Sequence, residues 1–181
     1  MRSSVEIYDM ATRECEVVWQ TEDLVEAPNW SRDGEFLVIN GDGLLYALPL
    51  DEDDPEPELI DTSFAVRLNN DHGISPDGAS IVFSDHTLYG KSCIYMLGDG
   101  DDEPRQVTTN MPSYWHGWSP DGKELCCLLR ENRRTGHKDA GGGHGQEDVG
   151  LLDIEHSSPV PAVWSDLWNP KGTAADDDRP R

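Results

Sequence analysis

The hexapeptide Gly-Trp-Ser-Pro-Asp-Gly at residues 117–122 is the third copy of a motif that decides the fold. The earlier copies read Asn-Trp-Ser-Arg-Asp-Gly at residues 29–34 and Gly-Ile-Ser-Pro-Asp-Gly at residues 73–78. The aspartates of successive copies are 44 residues apart each time. A period of about 40–45 residues is that of a four-stranded blade in a β-propeller. The spacing therefore predicts one blade per copy.

Each copy of the motif predicts a type I turn between two strands. Ser, Pro and Asp suit the successive positions of such a turn, and the Gly that follows accepts the left-handed backbone conformation. The strand after each turn is an almost continuous apolar run, at residues 36–39, 81–83 and 125–128. Such a run is typical of a strand that is covered on both faces, as strands are in stacked blades.

Third and fourth strands follow each turn in the first two repeats. They are predicted at residues 44–48, 58–61, 93–97 and 105–108. The N-terminal residues 5–9 and 15–19 match a third and a fourth strand, so the pattern begins with half a blade. The sequence therefore predicts an all-β fold, a partial β-propeller of four-stranded antiparallel blades, with about three blades readable and an irregular C-terminal tail.

The repeat carries a resemblance to a known family. The Trp-Ser-Pro-Asp-Gly turn, the apolar strand after it and a later Ile-Tyr pair, as at Ile94 and Tyr95, resemble the repeat of TolB-like (WD40-like) β-propeller proteins. The resemblance covers residues 5–130. It implies a propeller whose relatives act mainly as interaction platforms. The same repeat also serves transport accessories, lyases and peptidase propellers, so it indicates the fold more strongly than the function.

Beyond Arg130 the chain stops matching the repeat. We expect residues 1–130 to form the TolB-like propeller repeats and residues 131–181 to form a divergent Gly-rich and acidic tail that is partly disordered. Segments 151–154 and 160–164 are candidates for displaced third and fourth strands. Three explanations of this tail stay open: a loop insertion, a degraded sequence and an out-of-frame translation. We favour a repeat that is incomplete at its C-terminal end.

The charge of the chain limits its partners. There are 36 Asp and Glu residues against 14 Lys and Arg residues, which gives a net charge of −22. This balance excludes nucleic acid as an expected partner, because there is no basic footprint to bind phosphates. No apolar run reaches the length of a membrane span and no signal peptide is recognisable. We therefore predict no membrane insertion and a cytoplasmic location.

The basic residues of the chain are mostly arginines, since only four of the 14 Lys and Arg residues are lysines. A surface rich in Asp and poor in Lys is similar to that of proteins from salt-loving organisms, in which salt screens the self-repulsion of the folded chain. The alternative is an ordinary acidic protein.

Two histidines occupy the same place in consecutive repeats, His72 and His116, which are 44 residues apart. In a propeller, residues just before the turn motif lie near the mouth of the central channel, and their neighbours are expected to line the same mouth. The predicted ligand-binding mouth consists of Asn70, Asp71, His72, Tyr114, Trp115 and His116.

The chemistry of this mouth leaves alternatives. Two imidazoles and a carboxylate could hold a divalent metal, and TolB-like lyases of acidic sugars, which the repeat resembles, use a metal held by histidines. The first repeat has Pro28 at the equivalent position, and no lyase-specific motif is present. We therefore predict no metal, no cofactor and no catalytic residue. The other role open to the two histidines is to cap backbone groups between blades.

We thus predict a non-catalytic module that recognises or scaffolds a protein, a peptide or a polysaccharide at the channel face. The alternative is a carbohydrate-active enzyme, similar to oligogalacturonate lyases, that works at the histidine-lined mouth. Because each blade buries its faces only against its neighbours, open blade faces also predict self-association.

Overall fold

The computed structural model describes residues 2–130 and 147–153, and these residues form four antiparallel sheets. The half-blade consists of β1 (Ser3–Tyr8) and β2 (Cys15–Thr21). The first blade consists of β3 (Val25–Trp30), β4 (Phe36–Gly41), β5 (Leu44–Pro49) and β6 (Glu58–Ile60). The second blade consists of β7 (Leu68–Ile74), β8 (Ser80–Asp85), β9 (Cys93–Gly98) and β10 (Arg105–Gln106). The third blade consists of β11 (Ser113–Trp118), β12 (Glu124–Arg130) and β13 (Glu147–Asp153).

The predicted turn is present in all three repeats with the same hydrogen bonds. In the second blade the Gly78 amide donates to the Ser75 carbonyl at 2.8 Å. The Ser75 hydroxyl donates to Asp77 Oδ1 at 2.6 Å and accepts from the Ser80 amide at 2.9 Å. Equivalent bonds surround Ser31 and Ser119. The closing glycine has a φ of 80°, which explains why Gly is needed there.

The strands of each full blade follow the chain order from one edge of the sheet to the other. The first strand of the second blade, β7, contacts the first strands of both neighbours, β3 and β11. The first strands are therefore the inner strands, and the later strands lie progressively outward. This arrangement confirms the predicted partial β-propeller of four-stranded antiparallel blades.

The apolar second strands are covered on both faces, as predicted. Ile81 and Phe83 of β8 belong to the core between the first and second blades. Val82, whose side chain points to the opposite face of the sheet, belongs to the core between the second and third blades. The residues of β4 divide in the same way between the second blade and the half-blade.

The third blade is covered less completely than the second. Leu125 and Cys127 of β12 are fully buried against the second blade. Cys126 and Leu128, on the other face of the same strand, are only half-buried. Among the described residues no further sheet packs on that face.

The third blade includes backbone from beyond Arg130. Strand β13 pairs with β12 from end to end and overlaps the third strand predicted at 151–154. The fourth strand predicted at 160–164 lies outside the described residues, and the domain boundary after residue 130 stays a prediction. Within residues 2–130 and 147–153, no helix has the length and hydrophobicity that crossing a bilayer requires.

Candidate functional site

Each inner strand is interrupted by a β-bulge at the position where the sequence predicts the channel mouth. The pairing shifts between Glu26 and Asn29 in β3 and between Leu68 and His72 in β7. In β11 it shifts between Trp115 and Gly117, so that His116 is the extra residue. A bulge re-aims side chains and leaves its extra residues unpaired in the ladder. The bulges therefore decide which side chains reach the inner surface.

The bulge in β7 is held by two asparagines. The side-chain amide of Asn69 donates to the Asp71 carboxylate at 3.0 Å, while its oxygen accepts from the Asp71 backbone amide at 2.9 Å. The Asn40 side chain, on the neighbouring blade, donates to the Asn69 carbonyl at 3.1 Å. Sequence reasoning did not select Asn69 or Asn40, because no spacing signal marks a residue that supports a bulge. Together they fix the orientation of Asp71.

Asp71 and His116 lie on the contacting inner strands of the second and third blades. Asp71 is half-buried, and burial raises the pKa of its carboxyl above the usual value. His116 is exposed and lies close enough for its charge to offset part of that rise in the pKa of Asp71. Asn70, next to Asp71, is also exposed. We call Asn70, Asp71 and His116 the inner rim.

His72 does not belong to the inner rim, because its side chain is only 2% exposed. Its Nε2 lies 3.3 Å from the carbonyl oxygen of Val38, on the first blade. A carbonyl oxygen can only accept, so Nε2 carries the proton, and Nδ1, which has no hydrogen-bond partner among the described residues, is the bare acceptor. Burial lowers the pKa of His72, and the bond to Val38 offsets part of that effect. His72 thus caps a backbone group between blades, which is the alternative role considered from the sequence.

Trp115, also predicted for the mouth, is buried, and Tyr114 is half-buried. Trp115 is 9% exposed, and its backbone amide donates to the Ser84 hydroxyl of the second blade at 2.9 Å. Its indole lies against Gly73. Tyr114 is half-buried, with the Arg130 guanidinium 5.6 Å from the centre of its ring. Both aromatic side chains therefore serve packing within and between the blades.

Three of the six residues predicted for the mouth make up the inner rim, whereas His72, Trp115 and Tyr114 make hydrogen bonds and packing contacts within and between blades. That these residues bind a ligand stays a prediction. In the described part of the chain, no three His, Cys, Asp or Glu side chains gather closely enough to hold a metal ion. The inner rim instead offers a carboxylate, an imidazole and an amide, a set suited to hydrogen bonding with a polar ligand.

Comparisons with known proteins agree with this fold. No family model matches the chain. An uncharacterized protein of Agrobacterium fabrum is 57% identical over 132 residues, which are 72% of this chain and 45% of the relative. A solved structure described as a putative TolB from Agrobacterium tumefaciens is 49% identical, with a TM-score of 0.75 over 86% of this chain and 52% of its own.

More distant solved structures have the same fold. TolB from Acinetobacter baumannii is 18% identical, with a TM-score of 0.60 over 86% of this chain and 36% of its own. The tricorn protease is 19% identical, with a TM-score of 0.54 over 97% of this chain and 18% of its own. The chain therefore carries TolB-like β-propeller repeats, and it spans about half the length of the two Agrobacterium proteins that it matches.

Proposed function

We propose that the chain is a non-catalytic recognition module that binds a protein, a peptide or a polysaccharide at the inner rim. The observation that carries this proposal is the position of Asp71 and His116 on adjacent inner strands that contact each other. Both lie at bulges of inner strands, where side chains are freed from the regular alternation of the sheet. Binding residues are commonly irregular positions held by a rigid scaffold.

The chemistry of the inner rim favours a ligand with both donors and acceptors. The Asp71 carboxylate accepts hydrogen bonds, while the His116 ring can donate or accept. The exposed Asn70 amide does both. Backbone amides of a peptide and hydroxyls of a polysaccharide present such groups, and neither requires a charged partner. The similarity to TolB proteins supports a role in protein interaction.

The alternative enzyme needs both imidazoles at one site. His72 is buried between blades with its Nε2 bound to the Val38 carbonyl, so only His116 is accessible. The register of the sheet gives the reason. His72 pairs with Phe83. Trp115 pairs with Cys127, and Cys127 is 44 residues after Phe83, which is one repeat. His72 thus corresponds in space to Trp115, while His116 is an insertion in the ladder. This mismatch favours recognition over catalysis by the two histidines.

Binding at the inner rim can be tested with ligands selected on the full chain. Random peptides displayed on phage and an array of neutral and acidic oligosaccharides supply the candidates. We expect His116→Ala and Asp71→Asn each to lower the affinity for the selected ligand by at least about tenfold, because each removes a polar partner from a desolvated contact. The matched control is His86→Ala, because His86 lies in the loop after β8 and is not an inner-rim residue.

Equal binding by the native chain and both rim variants would place recognition elsewhere and contradict the proposal. Incubation with oligogalacturonate and a panel of divalent metals tests the enzyme. If an unsaturated product forms with the native chain and not with His116→Ala, the result would support lyase activity and contradict the non-catalytic proposal.

A further inference from the structure

A groove of about 790 Å³ lies between the half-blade and the first blade. Its walls include Trp19 from β2 and Tyr46 from β5, both half-buried on the core that joins the two sheets. Val25 and Ile39 form part of its apolar floor. The volume is within the range of about 300–1,000 Å³ that is usual for ligand sites. The groove shares no residue with the inner rim, so it is a separate candidate surface.

Three carboxylates stand around this groove, those of Asp23, Asp42 and Glu56, and all three residues are exposed. Among the described residues that line the groove there is no Lys, Arg or His. The groove lining therefore combines aromatic faces with acidic groups, and Asp42 also lines a neighbouring pocket that includes Arg67 and His86. An aromatic face and a carboxylate both attract a cation, and a guanidinium stacks on aromatic rings while it pairs with carboxylates.

The backbone that carries these carboxylates is held in place. The Ser3 hydroxyl donates to the Asp23 carbonyl at 2.7 Å and accepts from the Val25 amide at 3.2 Å, which fastens the connection between β2 and β3. Asp42 has a φ of 50° in the two-residue hairpin between β4 and β5, a position that Asp tolerates. Glu56 lies between two prolines, which restrict the backbone there. A ligand would have little backbone ordering to induce.

We propose that this groove binds an arginine side chain of a basic peptide segment in a partner protein. The occupant follows from charge complementarity. The guanidinium would lie against the ring of Trp19 or Tyr46, while Asp42 and Glu56 would accept its hydrogen bonds. The net charge of −22 would attract the basic segment from a distance and speed its encounter with the groove.

The test uses the full chain and N-acetyl-arginine amide, with N-acetyl-citrulline amide as the neutral probe of the same shape. The Trp19 indole N–H signal, assigned by its loss in Trp19→Phe, reports occupancy in a two-dimensional NMR titration. We expect a saturable shift with the arginine probe and none with the citrulline probe. The shift should weaken in molar salt, because the carboxylates are exposed and are screened there.

Paired variants separate the groove from the general acidity of the chain. The double variant Asp42→Asn, Glu56→Gln removes two groove carboxylates and should lower the affinity for the arginine probe by at least about threefold. Asp102→Asn with Glu103→Gln removes two exposed charges from the outer loop of the second blade and should leave binding unchanged. Equal shifts with both probes, equal binding by both variants, or no saturable shift in the native chain would each overturn the proposal. None of these results depends on the inner rim.

Discussion

Replacing Gly73 by alanine tests the contact between the second and third blades. A Cβ on Gly73 would lie 2.2 Å from Cη2 of Trp115 and 2.9 Å from its Cζ3. Unstrained carbon atoms stay about 3.5–4.0 Å apart, so the overlap exceeds an ångström. The indole cannot move aside freely, because Trp115 is 9% exposed and its backbone amide is bound to Ser84.

Overpacking of this kind costs about 1–3 kcal/mol of unfolding free energy. Gly117→Ala is the matched control, since Gly117 occupies the same repeat position and no atom of the part of the chain that the structure describes lies within 4 Å of a Cβ built there. We expect the control to stay within about 0.5 kcal/mol of the native chain. Urea unfolding followed by circular dichroism measures both differences.

A second substitution shows whether the indole is the cause. In a Trp115→Leu background the smaller side chain leaves room for the added methyl group, so Gly73→Ala should cost less than it does in the native chain. If Gly73→Ala is as stable as the native chain, or equally costly in both backgrounds, Trp115 does not pack on Gly73 and the described blade contact is wrong.

Two further predictions concern the solution conditions. Burial lowers the pKa of His72, so its imidazole takes up a proton less readily in the folded chain than in the unfolded chain. The unfolding free energy should therefore fall as the pH drops below the ordinary His pKa of 6.5, and it should level off below the pKa of His72 in the folded chain. His72→Gln should remove this part of the pH dependence while His116→Gln keeps it, and the same slope in all three chains would contradict the assignment. If the charge of −22 is an adaptation to salt, the thermal midpoint should rise from dilute buffer to molar KCl, and an unchanged midpoint would contradict it.

The fold could be predicted from the sequence because its signals are local and repeated. The serine, aspartate and glycine of each turn bond within six residues of one another, so the motif alone determines that geometry. The apolar runs after the turns predicted strands covered on both faces, and β8 confirms this. The 44-residue period then determined how many blades the chain contains.

The positions of the six residues predicted for the mouth could be read from the sequence only in part, because bulges do not show in the period. Side chains alternate between faces along a strand, so one extra residue reverses which side chain points inward. His116 is such an extra residue, whereas the bulge of β7 ends before His72. Equal spacing in the sequence therefore placed the two histidines together, and the unequal bulges separate them.

The covering of each blade by its neighbours is the central claim, and the half-buried outer face of β12 tests it most directly. Light scattering should give the native chain a mass above that of its 20.2 kDa monomer, and a hydrophobic dye should fluoresce on binding it. Both results are expected because the half-buried Cys126 and Leu128 offer apolar surface. Leu128→Glu, which places a charge on that face, should lower both the mass and the dye signal. A dye-silent native chain of 20.2 kDa would contradict the account, since it would mean that no apolar blade face is open.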